Sequence, residues 1–173
     1  MGGPALLRKM RDQVEDCFRQ EGKDPTGMPL GVLRFICVSE DPSVIDRYVD
    51  GARFQKRLAM SLRHRKESMV DDYMVEETSF PGETDLDQIR QDIVVGGAEE
   101  VAARLAGEIE LYGPSHISCY FAVGDMPNAA VKRSMELFQT KVIPAVEAHF
   151  GKPIGEINPA ATPKPAPLPV AAE

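Results

Sequence analysis

The chain has 173 residues, 27 acidic against 20 basic, a net charge of −7 and a pI near 5.1. That length is ordinarily one domain with enough material for a sizeable core, and the acidic balance argues against a nucleic-acid binder that works by neutralising phosphates. No apolar run approaches the roughly 18 residues of a membrane-crossing helix, the opening MGGPALLRKMRDQ lacks the apolar core of a signal peptide, and three scattered cysteines (Cys17, Cys37, Cys119) form neither a disulfide framework nor a zinc pattern, so a reducing cytoplasmic setting is expected.

Pro4 to Glu21 reads as a helix, with Leu6, Leu7, Met10, Val14, Cys17 and Phe18 on one face. Pro4 suits the first turn, Gly22 a left-handed stop, and Asp24-Pro25-Thr26-Gly27 a turn. Leu30 to Val38 reads as a strand whose nearly unbroken apolar run suggests burial on both faces, hence a parallel sheet. Its exception, Arg34, either pairs with a carboxylate or points into a central cavity.

Ser39 or Asp41 can cap the next helix, with Pro42 in its first position and Gly51 weakening its middle. Charge then segregates. Six basic residues plus His64 lie between Arg53 and Lys66, and nine acidic residues lie between Glu67 and Asp92. Such blocks read as solvated faces, or as a basic rim that draws an anionic substrate. Ser79 to Glu83 is a turn in a long irregular stretch of the kind that serves as a lid.

Ile93-Val94-Val95 runs into Gly96-Gly97, which is not a dinucleotide loop because GxGxxG is absent. It reads as a helix entry, with Gly97 near the cap, Glu99 and Glu100 in the first turn, Val101, Leu105, Ile109 and Tyr112 at helical spacing, and Gly113-Pro114 as the stop. His116 to Val123 is the second strand, Gly124 to Asn128 the loop at its carboxyl end, and the final helix is kinked or shortened at Pro144. From Gly151 onward, six prolines in 23 residues predict a Pro/Ala-rich, disordered, polyproline-like tail, so the expected organisation is one domain over 1–150 and a tail over 151–173.

No self-sufficient catalytic motif is present: HExxH, GxSxG, a phosphate loop and metal spacing are all missing. His64, His116 and His149 fall in different elements, and Asp71-Asp72 and Glu76-Glu77 read as loop solvation. In an α/β barrel, ligands sit at the carboxyl ends of strands, which points to Cys37-Val38-Ser39 and to Phe121 through Met126.

The stretch Gly97-Ala98-Glu99-Glu100-Val101 through Gly113, then Ser134-Met135-Glu136-Leu137-Phe138 and Val142-Ile143-Pro144, resembles the C-terminal end of the luciferase-like flavin-dependent monooxygenases. Leu33 to Val38 followed by Ser39-Glu40-Asp41 resembles that family's seventh strand, and Pro4 to Asp24 its preceding helix. The resemblance implies an α/β fold that is the C-terminal part of a TIM (β/α)8-type barrel, about two parallel strands with flanking helices. It further implies reduced FMN or a deazaflavin as cofactor, oxygen and an organic substrate, and a flavin reductase as partner. Arg34, Phe121, Gly124 and Met126 are then expected at the cofactor, as barrel-mouth positions. A full barrel takes about 250 residues, so an incomplete barrel is expected. A homodimer or a separate N-terminal barrel half would close it, and a non-catalytic half-barrel acting as a binding or oligomerisation module is the alternative.

Overall fold

A computed structural model describes residues 2–65, 68–76 and 78–159, and side chains throughout except at 68 and 73–76. The order is α1 (Pro4–Gln20), β1 (Gly31–Val38), α2 (Pro42–His64), β2 (Ser68–Val70), β3 (Tyr73–Glu76), α3 (Leu86–Asp92), β4 (Val94–Gly96), α4 (Ala98–Tyr112), β5 (His116–Tyr120), α5 (Asn128–Leu137), a π-helical turn (Phe138–Val142), α6 (Ile143–Phe150) and α7 (Ile154–Ile157). The fold is mixed α/β: a three-stranded parallel sheet in the order β4-β1-β5, with helices on both faces.

The sheet corrects the expectation of two strands. Val94–Gly96 is a third, in register Ile36↔Val94 to Val38↔Gly96. It is only three residues long, so apolar length could not reveal it. β5 pairs with the other half of β1, from Gly31↔His116 to Phe35↔Tyr120. A second correction lies in the stretch expected to be irregular. β2 and β3 form an antiparallel hairpin there. Asp71 and Asp72 make its turn with φ of 48° and 65°, a conformation that aspartate tolerates better than most side chains. Lys66, Glu67 and Glu77, which belong to the expected charge blocks, lie outside the described residues.

Side chains of β1 alternate between two cores. Phe35 and Cys37 pack with Tyr48, Val49 and Ala52 of α2, and with Ile89, Ile93, Val95 and Val123. Ile36 and Val38 pack with Val101, Leu105 and Ile109 of α4, and with Val142 and Val146. This two-sided burial is why the strand reads as an unbroken apolar run.

Local caps follow the sequence. Asp41 caps α2 by accepting from the Ser43 amide at 2.9 Å, Gly97 is the N-cap of α4, and Gly113 ends it with φ of 54°. The last helix carries a π-helical turn just before Pro144, and α6 restarts with that proline in its first turn. Beyond Phe150 the chain does not become extended at once. Ile154–Ile157 is a helical turn, and Ile157 packs against the second core. Residues 160–173, most of the expected tail, lie outside the described residues. No helix among the described residues is long and apolar enough to cross a membrane.

Candidate functional site

The carboxyl ends of β1, β4 and β5 converge with the loop that follows β5. The Val38 amide donates to Ser134 Oγ at 2.8 Å, so a side chain from α5 takes the place of a strand partner there. The Ser39 amide donates to the Gly96 carbonyl at 2.9 Å and ties β1 to β4. Cys37, the residue before Val38, is buried. Burial pushes its thiol up to about 11, which favours the protonated form at neutral pH.

The loop at the mouth is clasped by α2. Tyr48 Oη donates to the Tyr120 carbonyl, and Arg47 grips Asp125 through two bonds of 3.1 and 2.6 Å. Between those contacts the backbones of Gly51 and Gly124 meet. A Cβ on Gly124 would lie 2.9 Å from Gly51 Cα, and one on Gly51 would lie 3.1 Å from the Val123 carbonyl oxygen. Gly124 also has φ of 52°. Both glycines are therefore required by close approach, and Gly51, which the sequence suggests only weakens a helix, has a positive structural reason. The Arg47 guanidinium holds the Asp125 carboxyl below its usual range.

Of the four expected site residues, the structure brings two to this mouth. Gly124 lies in the clasp and Met126 packs against the α2-side core. Phe121 is on the opposite face of the sheet, edge-on to Phe138 with ring centroids 5.2 Å apart. Arg34 is a correction as well: it does not point into an open cavity. It is 3% exposed and donates to Glu108 Oε1 at 2.7 Å, to the Asp92 carbonyl at 2.7 Å and to the Gly2 carbonyl at 3.1 Å. Tyr112 Oη completes the group by donating to Glu108 Oε2 at 2.5 Å, and burial raises its own pKa. Arg34 thereby joins β1, α4, the end of α3 and the segment that precedes α1. Of the two readings open at the sequence level, it takes the paired one.

The histidines remain dispersed. His149 reaches Glu110 at 2.8 Å on the surface, and His116 is exposed at the start of β5. His64 borders a cavity of about 330 Å³ between α2 and the segment Thr78–Pro81. Just after that segment, Arg57 Nε and Nη2 bind Glu83 at 2.5 and 2.8 Å and lower its pKa, and Lys56 reaches Thr84 Oγ1 at 2.6 Å. No group of three or more His, Cys, Asp or Glu among the described residues could hold a metal ion.

The resemblance implies a flavin, whose phosphate needs cations or a bare helix N-terminus. Two such groups near the loop are occupied by the chain's own side chains. Arg47 is taken by Asp125. The α4 N-terminus carries Glu99 and Glu100 in its first turn, and a Cβ on Gly97 would lie 2.5 Å from Glu40 Oε1, so the chain's own carboxylates crowd that pole. Neither Arg47 nor the α4 N-terminus is thus open to a phosphate.

No family model matches the chain. An uncharacterised protein of Sinorhizobium fredii, y4vJ, is 31% identical over 150 residues, which are 87% of this chain and 43% of that protein. The solved structure of monooxygenase RslO1 from Streptomyces bottropensis superposes with a TM-score of 0.57 at 18% identity, over 83% of this chain and 39% of that one. The likeness to RslO1 is one of fold. The chain spans about two fifths of the length of both proteins.

Proposed function

We propose that these residues form the C-terminal sector of a luciferase-like, flavin-dependent monooxygenase barrel. The complete scaffold would bind reduced FMN, or a deazaflavin, and use oxygen on an organic substrate. The observation that carries the reading is the superposition of nearly all of this fold on part of a monooxygenase chain more than twice as long. The family wording at Gly97 to Val101 and Ser134 to Phe138 supports it.

In this reading the sector contributes a wall and one mouth loop. The flavin, when bound, supplies the oxygen chemistry. Gly124 and Met126 line the mouth, the Arg47–Asp125 and Gly51–Gly124 contacts hold the loop in place, and Arg34 and Phe121 secure the sheet behind it. The residues that grip the flavin phosphate lie outside this chain. A flavin reductase is the partner that would supply reduced cofactor.

The test titrates FMN fluorescence with the purified chain, alone and after mixing with the part of y4vJ outside the aligned region. Light scattering reports mass in parallel. The chain alone is expected to leave FMN untouched, and the mixture to quench it. Tight FMN binding by the monomer would overturn the sector reading. A mixture that forms a complex without quenching FMN would remove the flavin and favour a non-catalytic binding or oligomerisation module. The outer edges of β4 and β5, which no strand occupies among the described residues, are the observation that supports this second reading.

A further inference from the structure

α2 runs well past the mouth. From Gly51, in the clasp, to His64 at its end the helix advances about 20 Å. The far half is where positive charge collects. From Gly51 to Arg65 there are five Lys or Arg and no carboxylate. Three of the five are engaged: Arg53 with Asp50, Lys56 with Thr84 and Arg57 with Glu83. Arg63 and Arg65 are exposed and have no carboxylate partner among the described residues. The Arg65 amide donates to the Ser61 and Leu62 carbonyls, and the two arginines offset the negative pole of the helix end.

The cavity of about 330 Å³ lies at this end of α2. Ser61, His64, Thr78 and Ser79 give it a polar side, and Met60 and Phe80 an apolar one. Ser61 is the telling residue. It is 6% exposed, yet its hydroxyl has no hydrogen-bond partner among the described residues. Thr140, another helical hydroxyl, donates to the carbonyl four residues back at 2.7 Å, and Ser61 does not. A buried hydroxyl that lines a cavity and bonds to nothing costs free energy until an acceptor meets it there. The polar groups agree in kind. Hydroxyls donate to an oxyanion, and an imidazole donates from a ring nitrogen in either charge state. Met60 and Phe80 favour carbon, and the volume is that of a small-molecule pocket.

We propose that this cavity is a binding site for a small organic anion, a phosphate or carboxylate carried on an apolar group. Its charged oxygens take bonds from Ser61, Thr78 and His64, with Arg63 and Arg65 supplying the field, and its carbon part lies on Met60 and Phe80. The site is separated from the mouth by the far half of α2. It therefore takes a ligand other than the one held at the mouth, and it stands whether or not the sector reading holds.

NMR of the full chain tests it, with phenyl phosphate as the probe. The His64 ring signals, assigned by their loss in His64→Gln, are expected to shift saturably while the Gly124 amide stays still. Phenol has the ring without the charge, and inorganic phosphate the charge without the ring. Each is expected to bind about tenfold more weakly or worse. Ser61→Ala gives up no bond within the chain, so it should fold as before and weaken phenyl phosphate by about tenfold. Should it fail to fold, Thr78→Val, at an exposed position, takes its place. Unmoved His64 signals overturn the proposal, and so does a shift at Gly124 instead, which puts the anion in the mouth. Equal affinity for phenol overturns the anion, and equal affinity for inorganic phosphate overturns the organic part. Unchanged affinity in Ser61→Ala means that the basic surface alone attracts the anion, and it overturns the site.

Discussion

α4 and α1 differ by two residues in length, 15 against 17, and pack against one another. α4 buries Val101, Ala102, Leu105, Ala106, Glu108, Ile109 and Tyr112, whereas α1 buries no residue. The apolar stripe of α1 faces outward, with Leu6 49%, Met10 52% and Val14 45% exposed. What holds α1 is polar. Arg8 donates to the Leu111 carbonyl at 2.9 Å, and Arg11 donates to the Tyr112 carbonyl and, at 2.8 Å, to the Gly113 carbonyl. Those are the carbonyls that a helix leaves unsatisfied at its end, and cations are favoured there. One helix is thus a core element and the other is strapped to its terminus. Amphipathic spacing predicts a helix, and the partner decides which side of it is turned inward.

The sharpest way to break this contrast is to cut the buried charge group that α4 shares with β1. Glu108→Ala leaves the Arg34 guanidinium buried without its carboxylate, and is expected to cost about 3–5 kcal/mol in urea denaturation. Replacing both partners, Arg34→Met with Glu108→Leu, should recover much of that loss, because neither charge is then stranded. If Glu108→Ala costs under about 1 kcal/mol, the pair is solvated in solution and the core assignment of α4 fails. Next in size is Leu105→Ala, which removes a buried side chain from the sheet-facing side of α4 and is expected to cost about 2–5 kcal/mol.

Arg11→Ala addresses the strap. It removes charge-assisted bonds to two carbonyls of the α4 terminus, with an expected cost of about 1.5–3 kcal/mol. The distinguishing readout is local. Amides of α1 should lose protection from exchange while those of β1 and β5 keep theirs. A uniform loss across the sheet would mean that α1 is part of the cooperative core after all.

The same division explains what could be read beforehand. The caps Asp41, Gly97 and Gly113, and the strands β1 and β5, were legible because caps depend on neighbours one to four residues away and a doubly buried strand announces itself by composition. β4 was not, because three residues carry no periodicity. The hairpin was hidden because its turn is Asp71-Asp72, a pair that reads as loop solvation. The fate of Arg34 depended on Glu108, 74 residues downstream, and the outward stripe of α1 on carbonyls more than 100 residues away. At the mouth, Gly124 was picked out from its loop position, but Gly51 could be understood only once the two backbones were seen in contact. Contacts at such separations leave no local trace in composition.

The smallest expected effect closes the comparison. Met10 lies at the centre of the exposed stripe of α1, between Leu6 and Val14 at four-residue steps. Met10→Lys keeps a straight, helix-compatible side chain and removes no buried surface, so stability should change by no more than about 0.5 kcal/mol. Thermal melts of the two proteins at one dilute concentration are the measurement. A loss above about 1 kcal/mol would mean that Met10 is covered in solution. Because an associating protein gains apparent stability with concentration, repeating the melts over a hundredfold range separates the cases. Covering by a second copy makes the gap between the proteins widen with concentration, whereas covering by another part of the same chain leaves it constant. A gap near zero at every concentration leaves α1 as the structure has it, a helix held by two arginines with its apolar face uncovered.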